Sequence, residues 1–143
     1  VPLKKTRGVY VKGANEVARA LKENAPDLLK ELKAENKRLA EMVAGTARTL
    51  VPVRSGRLAK TIRAGVTAKT GVVRAGAGGV NSVPYAGPIH FGWFVRKPPA
   101  IGGPILPQPF LYDALDARRD EVMERYTVAV QTIATKFNAT KAA

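Results

Sequence analysis

Apolar residues recur between positions 27 and 50 at steps of three, four and seven: Leu28, Leu32, Leu39, Val43, Ala47 and Leu50. That spacing lines one face of a helix. The opposite face carries Lys30, Glu31, Lys33, Lys37, Arg38 and Glu41, a solvated stripe. Asn24-Ala-Pro-Asp27 marks the start. Asn24 suits a cap, Pro26 a first turn, and Asp27 the positive end of the helix dipole. Pro52 stops the helix, because the residue before a proline is driven out of the α region. A shorter helix over 14–23 precedes it. A second long stripe is formed by Leu111, Leu115, Val122, Tyr126, Ile133 and Phe137. It predicts a helix opening at Pro109 and running to about 137, with 138–143 as a frayed tail.

Between the two helices the period changes. Val66-Thr67-Ala68 and Val72-Val73-Arg74-Ala75, separated by Lys69-Thr70-Gly71, predict a hairpin. Residues 75–82 are rich in glycine and alanine and read as a loop. Tyr85 to Trp93 predicts a third strand, held at a sheet edge by Pro84 and Pro88. Residues 96–109 are punctuated by proline and glycine and predict a long loop without secondary structure, of a length usually kept for function. Residues 1–12 form a basic arm, with Gly8–Lys12 as a short strand. The expected class is α+β. A long N-terminal helix and a long C-terminal helix pack on a small antiparallel sheet, in a single domain over 13–137.

Composition narrows the chemistry. The chain has 143 residues, enough for one sizeable core. It has no cysteine, which removes disulfides, a thiolate nucleophile and a Cys-based zinc site. His90 is the sole imidazole, so no histidine cluster is expected to hold a metal. No apolar run reaches transmembrane length. Lys4, Lys5 and Arg7 are not followed by an apolar run, so no signal peptide is expected and a reducing cytoplasm is the expected place of synthesis.

The net charge of +13 is unevenly spread. Residues 42–112 contain no Asp or Glu, yet hold Arg48, Arg54, Arg57, Lys60, Arg63, Lys69, Arg74, Arg96 and Lys97. The stretch 113–130 leans acidic. One part of the fold should therefore present a positive surface to polyanions or to an acidic protein neighbour.

No catalytic, cofactor-binding or metal-binding set emerges. His90 lies between Ile89 and Phe91 with no serine or carboxylate beside it, and reads as structural. Gly76-Ala-Gly78-Gly79 lacks the Lys-Ser/Thr of a phosphate loop. The basic stretch suits several phosphates, but the aromatics are not spaced as a stacking platform, so DNA contact would be non-specific. Tyr85, Phe91, Trp93 and Phe110 are expected to bury most of their area. Trp93-Phe94, leading into the long loop, is the expected interface anchor.

Three motifs join turn residues to apolar anchors in a fixed order: Val51-Pro-Val-Arg-Ser-Gly-Arg-Leu58, Val83-Pro-Tyr-Ala-Gly-Pro-Ile-His-Phe-Gly-Trp93 and Pro107-Gln-Pro-Phe-Leu-Tyr-Asp-Ala-Leu115. Their order resembles the tail-component family of long-tailed (siphovirus-type) bacteriophages, the head–tail joining, neck or tail-completion proteins. The matching positions are Val51-Pro52, Ser55-Gly56-Arg57-Leu58, Tyr85-Ala86, Phe91-Gly92, Pro109-Phe110-Leu111 and Ala114. The chain departs from the family pattern at Arg54-Ser55, where Asp-Thr is frequent, and at His90, where Glu is frequent. Gly87-Pro88-Ile89-His90 is similar to versions from phages of actinobacteria.

The resemblance implies a virion protein without cofactor or catalytic role, assembled in the host cytoplasm and sited at the neck. It implies a homo-oligomeric ring of on the order of six or twelve copies joining the DNA-filled head to the tail. Connector or stopper, tail terminator and tail tube would be its neighbours, with no membrane partner and with non-specific contact to packaged DNA. Residues facing an interface or the lumen would come from Arg54, Arg57, Lys60, Arg63, Tyr85, Phe91, Trp93, Phe94, Arg96, Lys97 and Phe110. The alternative is a small basic DNA-associated or packaging accessory protein. A third reading, an enzyme built around His90, would be removed by a His90→Ala chain that functions normally.

Overall fold

The computed structural model describes residues 13–53, 56–66, 70–76, 83, 85–92 and 106–142, the last three by their backbone. The elements are α1 (Ala14–Asn24), α2 (Pro26–Leu50), α3 (Arg57–Thr61), β1 (Arg63–Val66), β2 (Gly71–Arg74), α4 (Ala86–Phe91) and α5 (Phe110–Ala142). The class is α+β, with helix dominating and a two-stranded antiparallel sheet. The basic arm and most of the 96–109 loop lie outside the described residues.

Proline sets the helix boundaries. Pro26 disfavours the α region for the residue before it, so the break between α1 and α2 falls at Ala25, with φ −151° and ψ 71°. Asn24 therefore does not cap α2. It closes α1, its side-chain amide donating to the Ala20 carbonyl at 2.9 Å. At the other end Val51 is extended and donates its N–H to the Ala47 carbonyl at 2.9 Å before Pro52. Helix α5 begins one residue after Pro109 and runs to Ala142, beyond the expected end at 137.

Helices α2 and α5 are antiparallel partners. Arg118 Nε donates to Thr46 Oγ1 at 2.9 Å near one end, and Lys136 pairs with Glu31 at 2.8 Å near the other. The buried line on α2 is Leu29, Leu32, Asn36, Leu39, Ala40, Val43, Ala44 and Ala47. It is turned slightly from the expected stripe. Leu28 is half-buried and Leu50 is exposed, because alanines and Asn36 take the inner positions and let backbones approach closely.

The core divides into two clusters. One joins Val43, Ala44, Ala47, Val51, Leu58, Ile62, Val83, Ala86, Phe110 and Ala114. The other joins Ala18, Leu21, Leu29, Leu32 and Ile133 at the far end of the helix pair. The expected α5 stripe packs on them, with Leu111, Leu115 and Val122 on the first, and Ile133 within the second beside Tyr126 and Phe137.

Two expectations are corrected. The hairpin strands are 63–66 and 71–74, rather than 66–68 and 72–75, and Arg63 pairs with Arg74 across it. Gly65 lowered the strand signal of the first segment. Its placement is fixed from outside: Arg48 holds the Ile62 carbonyl with Nε and Nη2 at 3.1 and 2.7 Å, just before β1 begins.

The second correction concerns Tyr85–Trp93, which holds no edge strand among its described residues. Residues 86–91 form the short helix α4, with the Ile89 N–H donating to the Tyr85 carbonyl at 3.0 Å. Pro88 sits in the first turn, where its missing N–H leaves no hydrogen bond unmade. A six-residue helix is marginal alone. It is held by the burial of Ala86 and His90 and by Gln108 N–H donating to Ile89 O at 2.8 Å.

Candidate functional site

All three Pro/Gly motifs meet at one end of the helix pair. Val51 and Leu58 come from the first, Val83 and Ala86 from the second, Phe110 and Ala114 from the third, and all six lie in one core cluster. Gly56 makes the first turn possible: its φ of +77° is a conformation that side chains with a Cβ rarely adopt, and it opens α3. The motifs thus fold the chain around α2 and place a basic face beside it.

That face is built on α3 and the hairpin. Arg57 and Lys60 are exposed on α3. On the hairpin, Ala64 and Val73 pack on the core, so their neighbours Arg63 and Arg74 point away from it and are exposed. Like charges directly opposite on one sheet face repel, a local cost of a few tenths of a kcal/mol or more, roughly. No carboxylate forms an ion pair with Lys60, Arg63 or Arg74 among the described residues. Among the described residues Arg63 reaches only the Thr61 carbonyl, at 3.5 Å. A cationic surface built from a stretch that holds no Asp or Glu, at a local energetic cost, suits an anionic partner.

The other expected site residues are distributed differently. Arg54, Trp93, Phe94, Arg96 and Lys97 lie outside the described residues. Tyr85 is half-buried against the core. Phe91 is 49% exposed and meets Tyr112 edge-on. Phe110 is a core residue, 2% exposed, and offers no surface. Arg74 belongs with Arg63, a partnership that appears only once the strand register is known.

His90 is 4% exposed, and its ring stands edge-on to Phe91, Phe110 and Tyr112 at 4.4, 5.2 and 4.5 Å. Neither ring nitrogen has a hydrogen-bond partner among the described residues. Burial pushes its pKa below the ordinary 6.5, while Asp113 pulls in the opposite sense. The unfolded chain therefore takes up a proton first as pH falls. Stability should drop from about pH 6.5 downward and level off below the folded-state pKa. A His90→Leu chain should lack this component. Urea midpoints of the two chains should diverge between pH 7.5 and 5.5, in favour of the variant at low pH. Parallel pH profiles would contradict a buried neutral imidazole.

A second surface feature lies between α2 and α5, bordered by residues 31–38 of α2 and 121–133 of α5. It is an open groove of about 750 Å³ with charged rims. Among the described residues no three of His, Asp or Glu come together as a metal-binding group, and no helix is long and apolar enough to cross a membrane. No protein-family model matches the chain, and neither a curated protein nor a solved structure matches it.

Proposed function

We propose that this protein is a structural component of a long-tailed phage virion, a neck or tail-completion protein without catalytic role. Copies would form a ring at the joint between the DNA-filled head and the tail. The observation that carries the reading is the convergence of the three ordered motifs on one core cluster, with a basic face, built from a stretch without Asp or Glu, beside it. The special residues of this chain are used for backbone shape and packing, as an assembly part requires. Mechanism is then geometric: a heterologous contact repeated around an axis closes into a ring. The basic face would meet an acidic neighbour, with non-specific contact to DNA in the lumen.

The test is electron microscopy of a lysate from the parent phage with this gene removed. Filled heads beside separate full-length tails are expected; normally joined particles would sink the joining role. Charge reversal at Arg54, Arg57 and Arg63 in the phage should likewise impair joining, measured as the fraction of tailed particles and as infectivity.

The second reading, a small basic DNA-associated protein, is favoured by Arg63 and Arg74 of the hairpin, which pair with no carboxylate among the described residues. A joining protein should bind duplex DNA weakly and release it with modest salt. A DNA-associated protein should bind tightly at physiological ionic strength.

A further inference from the structure

We infer that the outer face of the β1–β2 hairpin binds the phosphate backbone of duplex DNA without reading its base sequence. The inference rests on the joining reading only for where such DNA is met, and it gives the lumen contact named residues. Arg63 and Arg74 stand directly opposite each other across the antiparallel pair. Ala64 and Val73, the next pair along, turn inward to the core, so both guanidinium groups lie on the outward face. Gly65 and Val72 are the next pair on that face. A Cβ on Gly65 would meet nothing within 4 Å, so the sheet beside the arginines is low and an incoming backbone can approach it closely.

These two arginines differ from the others in what surrounds them. All 11 Asp and Glu residues lie in α1, α2 and α5. Several pair there with nearby cations: Glu31 with Lys136, Glu35 with Arg38, Asp116 with Arg119, and Glu121 with both Arg118 and Arg125. Arg48 is engaged by the Ile62 carbonyl. Arg63 and Arg74 pair with no carboxylate among the described residues, and the Arg63 contact with the Thr61 carbonyl is at the outer limit of a hydrogen bond. Two like charges fixed opposite each other repel until an anion is placed between or above them. An acidic protein would need an apolar or aromatic anchor at the centre of its contact. The described outward face of the hairpin has no aromatic, and Val72 on it is half-buried. Duplex DNA needs no such anchor. It offers a phosphate about every 1.7 Å along its axis, and the release of its counterions drives binding. A guanidinium meets a phosphate with two parallel N–H···O bonds. Gly65 and Val72 have no amide or hydroxyl side chain with which to read a base edge, so the contact is to the backbone alone.

Fluorescence anisotropy of a labelled DNA duplex, titrated with the purified full chain from about 50 to 200 mM salt, tests this. Two duplexes of unrelated sequence should bind alike. Arg63→Gln/Arg74→Gln should weaken binding at low salt by about 10-fold or more, and lower the slope of log affinity against log salt by about 2. Arg19→Gln/Lys22→Gln is the matched control. It removes the same charge from α1, which packs on the other core cluster, and should change affinity by about 3-fold or less. All four positions are exposed, and circular dichroism should show both variants folded.

A wild-type chain that does not bind the duplex at low salt overturns the inference. Equal losses in the two variants do so too, because binding would then follow net charge and not this face. A clear preference for one duplex over the other would mean base readout and would also overturn it. If Arg63→Gln/Arg74→Gln binds DNA as the wild type does yet fails to join particles in the phage, the face belongs to an acidic protein and the inference falls. Knock-out particles that join normally, with the hairpin variant still defective on DNA, would discard the joining role and leave this contact standing.

Discussion

Phe110→Ala should cost about 3–5 kcal/mol of folding stability, the range for removing a large aromatic from a packed core. Phe110 is 2% exposed and one of the largest fully buried side chains. It closes the cluster where the three motifs meet, and its ring stands edge-on to His90. The vacated space cannot collapse easily. Around it are backbone turns set by proline and side chains as small as Ala86 and Ala114, which have no length with which to fill a void. The loss should appear as a drop in melting temperature on the order of 10 °C for a domain of this size. Thermal and urea unfolding followed by circular dichroism would measure it. Phe110→Leu should recover more than half of the loss. A cost below about 1 kcal/mol for the alanine variant would mean that the motifs do not share a packed core. Under the proposed joining role, the same substitution in the parent phage should reduce joined particles through abundance of folded protein rather than through a lost contact.

The second large effect is expected at Gly71. A Cβ there would stand 2.6 Å from the backbone oxygen of Asn36 and 3.2 Å from the Ala40 Cβ. Both neighbours belong to the middle of α2, so neither can swing aside as a flexible side chain would. Gly71→Ala should therefore push the hairpin off the helix, at about 1–3 kcal/mol. Gly65→Ala is the matched control. It lies in the paired strand with nothing within 4 Å of an added Cβ, and should change stability by about 0.5 kcal/mol or less. Equal costs at the two positions would contradict the close seating of β2 on α2. The displacement should also carry Arg63 and Arg74 out of place.

Much of the framework was legible locally. The breaks at Pro26 and Pro52 and the start after Pro109 follow from the fixed φ of proline and its lack of an N–H, properties of the residue itself. The two long helices follow from apolar spacing sustained over many turns, and their length makes the period unambiguous. The short segments behave differently. Tyr85, Gly87, Ile89 and Phe91 alternate as an edge strand would, yet the segment is a helix. Over six residues, local preference amounts to about a kcal/mol, less than the packing of Ala86 and Ile89 on the core returns.

The basic face was legible in composition and illegible in arrangement. The absence of acids between 42 and 112 is visible in the residues themselves. That Arg63 stands opposite Arg74, that Phe110 is core and not surface, and that the acidic residues of α2 and α5 border one groove are not. By itself the sequence determined which segments are long helices, where proline ends them, and that charge is segregated along the chain. Those are consequences of single residues and of periodicity. The tertiary structure alone decided the hairpin register, the conformation of residues 86–91 and the pairing of distant charges. Each of these depends on which surfaces meet across the fold, where the free energy of burial and close approach outweighs what any short segment prefers on its own.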